Sequence, residues 1–317
     1  MNNAAATSTL LGLLVLTPMF AGCQPGAQQV SETTSLVRFK SKTNVASFFM
    51  GNMDGIPGVA QDPPNMRNAL GSTDFNFAIR SQGRVQTAGE IISEAGKAAA
   101  DTGYDGGTYF FYFTGHGAED GSLSSGDRQF MWSEVADAIR AARKDPETGK
   151  TRALSRGIIF ADACFSGNLV DGNGAVTTAL RLAPGASVGV ASLPDLPVDF
   201  DSVTKYRAAL DAFANQVVET KEGVFDELIV IASSTKLETS GDMQTGGVGT
   251  TAFIAALNAA KANPAMKLRE FLGQIQGGAP GQTPVFKTVP ESLLDETVVG
   301  DDQSGPAASG NEPPKDL

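Results

Sequence analysis

Thr108-Tyr109-Phe110-Phe111-Tyr112-Phe113-Thr114-Gly115-His116-Gly117 is an aromatic run that closes on a small-residue turn carrying a histidine. Gly157-Ile158-Ile159-Phe160-Ala161-Asp162-Ala163-Cys164-Phe165-Ser166-Gly167 repeats the plan with a cysteine. Apolar runs of this length, rich in aromatic and β-branched residues, read as buried strands of a parallel sheet. In open α/β sheets, ligands and reacting groups collect at the carboxyl ends of such strands. His116 and Cys164 both stand there. His116 is the only histidine of the chain, and Cys164 is one of two cysteines, the other being Cys23. Taken singly, each fits a structural role, because free Cys is among the most buried residue types. Their shared location points to chemistry.

Strand and helix signals alternate on both sides of these runs. Val45 to Met50 reads as a first strand, Gly51 to Gln61 as a loop above its carboxyl end, and Phe75 to Ile79 as a second strand. Leu228 to Ala232 reads as a fifth, and Thr283-Pro284-Val285-Phe286 as an edge strand, where Pro is tolerated. Asp62-Pro63-Pro64 opens a helix with Asp at the N-cap and Pro at the first helical position. Thr87-Ala88-Gly89-Glu90 is a capping box leading to about Ala100. Trp132, Val135, Ile139 and Ala142 repeat at helical spacing, as do Tyr206, Leu210, Phe213 and Val217. Thr250 to Leu257 and Met266 to Ile275 complete the set. The alternation implies an α/β fold, an open sheet of about six mostly parallel strands flanked by helices on both faces.

A length of 317 residues with 41% hydrophobic content supports a proper core. The net charge of −11 excludes nucleic acid as the expected partner and favours a cationic one. Two cysteines offer no disulfide framework. Thr9 to Phe20 is apolar but too short to span a bilayer, as in a signal-peptide core. The polar stretch after it reads as a tether, and from Asp295 the acidic, Gly- and Pro-containing end has too little apolar surface to fold.

Several resemblances gather along the chain. Ala21-Gly22-Cys23 resembles a bacterial lipobox, although Phe20 replaces the usual Leu and no Lys or Arg precedes the apolar core. It implies a lipid on Cys23, and a bacterial cell-envelope lipoprotein facing the periplasm or exterior. Thr114-Gly115-His116-Gly117 resembles the (Ser/Ala)-Gly-His-Gly turn of caspase-like cysteine peptidases, with His and Cys about 50 residues apart as in that group. Asp162-Ala163-Cys164-Phe165-Ser166-Gly167 resembles the Asp-Ser-Cys-His-Ser-Gly of metacaspases (peptidase C14). Asp62 to Arg67 is similar to the family's first-helix motif. Ala232-Ser233-Ser234, Gly247 to Phe253 and Gly281-Gln282-Thr283-Pro284 are similar to its small-subunit segments. The implied organisation is a signal peptide over 1–22, a lipidated Cys and tether over 23–43, and a caspase-like peptidase domain over 44–290. That domain divides into a large-subunit-like part (44–167), an insert (168–224) and a small-subunit-like part (225–290). A disordered acidic tail over 291–317 follows.

The resemblance implies a cysteine endopeptidase. Cys164 attacks the scissile carbonyl and His116 protonates the leaving amine. The N–H groups of Cys164 and Gly117 hold the oxyanion. A free thiol titrates near 8.5 and needs a neighbouring base, which only His116 can supply. Metacaspases carry an acidic residue two places before the Cys and another opening the first helix, so Asp162 and Asp62, with Thr114, are expected to line a pocket for Arg or Lys before the scissile bond. Self-cleavage after Lys205, Arg207 or Lys221 then becomes an expectation. Two alternatives stand beside this reading: a legumain-like peptidase of the same clan, and a non-cleaving caspase-like domain that binds peptides. Asp171-Gly172-Asn173-Gly174 superficially resembles a calcium loop but lacks the remaining ligands and the terminal Glu, so it reads as a turn. No metal or cofactor is expected, and calcium activation is not legible. The partners expected are a polypeptide substrate and, through the lipid, a membrane.

Overall fold

The computed structural model describes residues 34–38, 42–54, 56–71, 75, 77–103, 106–164, 200–233, 246–279 and 284–299. Cys23, Asp171 to Gly174 and the tail from residue 300 lie outside the described residues.

Six strands build the main sheet: β1 (Asn44–Met50), β2 (Phe77–Val85), β3 (Thr108–His116), β6 (Leu154–Cys164), β7 (Phe225–Ser233) and β8 (Val285–Val289). A small hairpin, β4 (Leu123–Ser124) with β5 (Gln129–Phe130), follows β3. The order is β2-β1-β3-β6-β7-β8, with every pair parallel except β7 with β8. The two runs that opened the sequence reading are the central neighbours β3 and β6. Residues buried on both faces have no polar side to show, which is why these strands are continuously apolar.

Alternation along the strands sorts the core into two layers. Phe111, Phe113, Ile159 and Val230 meet α2 (Ala88–Asp101), α3 (Trp132–Ala142) and α4 (Phe200–Glu219) through Ile91, Trp132, Ile139 and Phe213. Phe110, Tyr112, Phe160 and Ile231 meet α1 (Asp62–Leu70), α5 (Val248–Ala262) and α6 (Leu268–Gly278) through Met66, Phe253 and Phe271. Phe253 is the hub of the second layer, with rings of Phe160, Phe271 and Phe110 at centroid distances of 5.1, 5.4 and 6.0 Å. Full burial of each such side chain contributes about 1.5–3 kcal/mol. The Thr87 capping box on α2 forms as its sequence predicts, Thr87 accepting from Glu90 N–H.

Three boundaries differ from the sequence reading. β2 starts at Phe77 and runs to Val85, past the apolar residues that marked it, because parallel pairing with β1 rather than burial carries it. Residues 34–38, assigned above to the tether, and 291–299, assigned to the tail, pack onto the amino ends of the strands. Leu36, Val37, Leu293 and Val298 are buried there. Arg156, fully buried at the start of β6, ties these segments together. It pairs with Glu227 at 2.7 Å and Glu296 at 2.9 Å, and donates to the Thr34 carbonyl; Arg38 also pairs with Glu227.

Candidate active site

The parallel register of β3 and β6 sets Thr114 opposite Asp162, Gly115 opposite Ala163 and His116 opposite Cys164. Two residues forty-eight positions apart in sequence therefore become lateral neighbours at the carboxyl edge of the sheet. Gly115 has a φ of 144° and its backbone passes close to residues 51 and 52, where a Cβ would sit 3.0 Å from the Asn52 carbonyl oxygen. Only glycine meets both demands at low cost.

The loop after β1 is stitched to this turn. Gly51 N donates to the Thr114 carbonyl at 2.8 Å, Asn52 N to the Ser124 carbonyl at 2.8 Å, and His116 N to the Asn52 carbonyl at 3.0 Å. Asp54 N in turn donates to Asn52 Oδ1 at 2.8 Å. The loop thereby brings the Asp54 main-chain oxygen to 2.7 Å from His116 Nε2. A carbonyl oxygen accepts only, so Nε2 carries a proton and donates to it. In the neutral ring the lone pair then falls on Nδ1, a tautomer set by main chain. Gly117 follows in an isolated bridge to Leu123 of the hairpin.

Beneath the turn lie two buried acids. Asp62 sits in the first turn of α1 but does not cap it; no side-chain cap bond forms there. Its Oδ2 accepts from Thr114 Oγ1 at 2.7 Å and its Oδ1 from Gly247 N at 2.7 Å. The N-cap role read from sequence gives way to a tertiary one, since α5 supplies a buried donor that the carboxylate cannot leave unmatched. Asp162 Oδ2 accepts from both the N–H and the hydroxyl of Thr250, each at 2.6 Å. Asp162 Oδ1 is buried and has no partner among the described residues. An unmatched buried acceptor of this kind costs about 1–3 kcal/mol.

Burial pushes the Asp62 carboxyl well above the usual carboxylate range, and the neighbouring Asp162 pushes it further. Burial also raises Asp162, partly offset by the two donors of Thr250. Tyr112, wholly buried between them and α5, is driven up by burial and by both acids, so it stays a neutral donor. Among the described residues, no Lys or Arg is among the leading influences on either acid. The structure brings Asp62, Thr114 and Asp162 together and sets His116 across from Cys164. Sequence reading missed Asp54, which acts through a backbone atom, and Thr250, whose reach to Asp162 spans eighty-eight residues. Among the described residues no group of three metal-binding side chains occurs.

His116 and Cys164 thus stand on adjoining strand ends of a mostly parallel α/β sheet, close to a buried acid pair. The chain belongs to the caspase domain family, peptidase C14, whose model matches residues 44–290. That family comprises cysteine peptidases, hydrolases that act on polypeptides. Among solved structures the chain is similar to caspase-1 from Spodoptera frugiperda, at 15% identity and a TM-score of 0.45, over 84% of this chain and 92% of that one. No curated protein matches significantly.

Proposed function

We propose that the chain is a cysteine endopeptidase of metacaspase type that uses a Cys164–His116 dyad and cuts after Arg or Lys. The observation that carries this is the β3–β6 register opposing His116 to Cys164, with the imidazole held in its basic tautomer by the Asp54 carbonyl. In this mechanism the thiol proton passes to Nδ1 and sulfur adds to the scissile carbonyl. The N–H groups of Cys164 and Gly117 take the oxyanion. Collapse expels the amine, which leaves with the proton from His116, and water then hydrolyses the acyl-enzyme.

The acid pair supports the specificity. A cation entering beside Asp162 Oδ1 would supply the missing donor and favour ionisation of the acids, whereas an Asp side chain would bring a further carboxyl against them. The test is kcat/KM for matched fluorogenic peptides ending in Arg, Lys and Asp, with Cys164→Ala and Asp162→Asn alongside. Thiol-dependent cleavage of the Arg and Lys peptides, lost in Cys164→Ala and weakened by Asp162→Asn, is expected. Preference for the Asp peptide, or turnover by Cys164→Ala, overturns the proposal. Lipid attachment at Cys23 is part of the same reading, supported by Ala21-Gly22-Cys23 after the apolar segment. Mass spectrometry of the mature N-terminus tests it, and an unmodified terminus elsewhere refutes it.

A further inference from the structure

The four oxygens of the acid pair are not used alike. Asp62 Oδ1 accepts from Gly247 N and Oδ2 from Thr114 Oγ1, and Tyr112 also hydrogen-bonds this carboxyl. Asp162 Oδ2 receives two, both from Thr250, and Asp162 Oδ1 receives none. Capping of α5 would require only the Thr250 N–H. The added hydroxyl bond concentrates both donors on one oxygen and leaves its twin bare in a fully buried side chain.

The hydroxyl is itself held. Tyr112 OH lies 2.5 Å from Thr250 Oγ1. With the Thr250 hydrogen on the carboxylate, its oxygen is open to accept from Tyr112, whose hydroxyl also bonds Asp62, so Tyr112 links the two acids. The backbone around the pair is also kept free of side chains. A Cβ on Gly249 would lie 2.6 Å from Asp162 Oδ1 and 2.1 Å from Ser233 Oγ, and one on Gly246 would lie 2.3 Å from Asp62 Oδ1.

We infer that Thr250, backed by Tyr112, is a positioning residue for specificity: it occupies Asp162 Oδ2 and so presents Oδ1 as the oxygen that receives a basic side chain. This rests on reading the acid pair as a cation pocket. Thr250 acts through Asp162 and touches no substrate. The titratable groups that face Asp162 are Asp62 of α1 and Tyr112 of β3; α5 and the end of β7 present the uncharged Thr250 and Ser233. Losing the Thr250 hydroxyl removes a donor that favours the charged form, so Asp162 holds its proton to higher pH and cation uptake needs more alkaline solution.

The experiment is calorimetric titration of agmatine, an alkyl guanidinium, into the full chain carrying Cys164→Ala, across a pH series. Binding abolished by Asp162→Asn establishes the pocket. Against that, Thr250→Val is expected to bind at least about tenfold more weakly and with its pH midpoint moved up, since a hydrogen bond to a charged group is removed. Thr250→Ser should return to within about threefold of the parent with the original midpoint, a rescue that a purely structural role for the methyl group would not give. Thr250→Ala should shift the midpoint in the same direction and decides the matter if Thr250→Val fails to fold. Agmatine binding that needs Asp162 but keeps its strength and midpoint in Thr250→Val or Thr250→Ala overturns this inference alone. No agmatine binding by the parent protein removes the pocket reading and this inference with it.

Discussion

Arg156 at the amino end of β6 is as deeply buried as Asp162 at its carboxyl end, yet the two ends of one strand treat charge in opposite ways. At the amino end, Arg156 meets Glu227, Glu296 and the Thr34 carbonyl. Burial pushes the Glu227 carboxyl up, but Arg38 and Arg156 more than offset it and hold it below the usual range. At the carboxyl end, Asp162 faces another acid and keeps an oxygen unmatched. Paired opposite charges serve the fold. Like charges confined together cost stability, and groups perturbed in this way cluster at functional sites.

The comparison breaks most sharply at the reaction itself. Cys164→Ala or His116→Ala should lower turnover at least about a thousandfold, and the double variant little further, because the two act as a unit. Neither change should disturb the amino end, so unaltered denaturation curves are the companion measurement. A double variant far below both singles would show two independent routes.

Removing one partner of the compensated cluster should be the largest stability effect. Arg156→Ala is expected to cost about 3–5 kcal/mol in chemical denaturation, since it removes the cation of Glu296 and leaves Glu227 with Arg38 alone. Asp162→Asn should cost far less stability while lowering kcat/KM for Arg peptides. Equal losses of stability would erase the distinction between the two ends.

A smaller effect concerns pH. Both acids have folded pKa values raised above their unfolded ones, so the folded protein holds protons that the unfolded chain releases. Their contribution to stability is full below the ordinary carboxylate range and is lost as pH rises through the raised values. Asp62→Asn should therefore flatten the alkaline decline in Tm, measured from pH 5 to 8. Substrate affinity runs the other way: KM for an Arg peptide should rise as pH falls through the same window. The smallest change is expected from Arg38→Ala, about 1 kcal/mol or less, because its pairing with Glu227 is partly solvated.

Much of this architecture was legible because it is written in local patterns. The aromatic run of β3 and the apolar run of β6 announced buried parallel strands, and Thr87 with Glu90 announced the start of α2. The insert showed its packing stripe, and Leu210, Phe213 and Val217 of α4 are buried. What escaped was non-local. Arg156 reads as an ordinary charged residue until Thr34, Glu227 and Glu296 are seen around it. For Asp62 the grouping with Asp162 and Thr114 was expected, but the donor from Gly247 that replaces a cap bond was not. Residues 291–299 look polar on average, although Leu293, Val298 and Val299 find a place in the core.

The contact between His116 and residue 54 has an implication for how such a protein can vary. Every amino acid carries the same carbonyl, so the acceptor that fixes the imidazole survives any substitution that leaves the path of the loop intact. Asp54→Ala should be silent, and drift at that position would leave no trace in function. Selection instead acts on whatever steers the main chain: Gly51, where a Cβ would run into Phe113 and the Ser124 carbonyl, and Asn52, which anchors the loop through three hydrogen bonds. The partner of the His116 ring is thus inherited as a shape of the backbone rather than as a letter in the sequence.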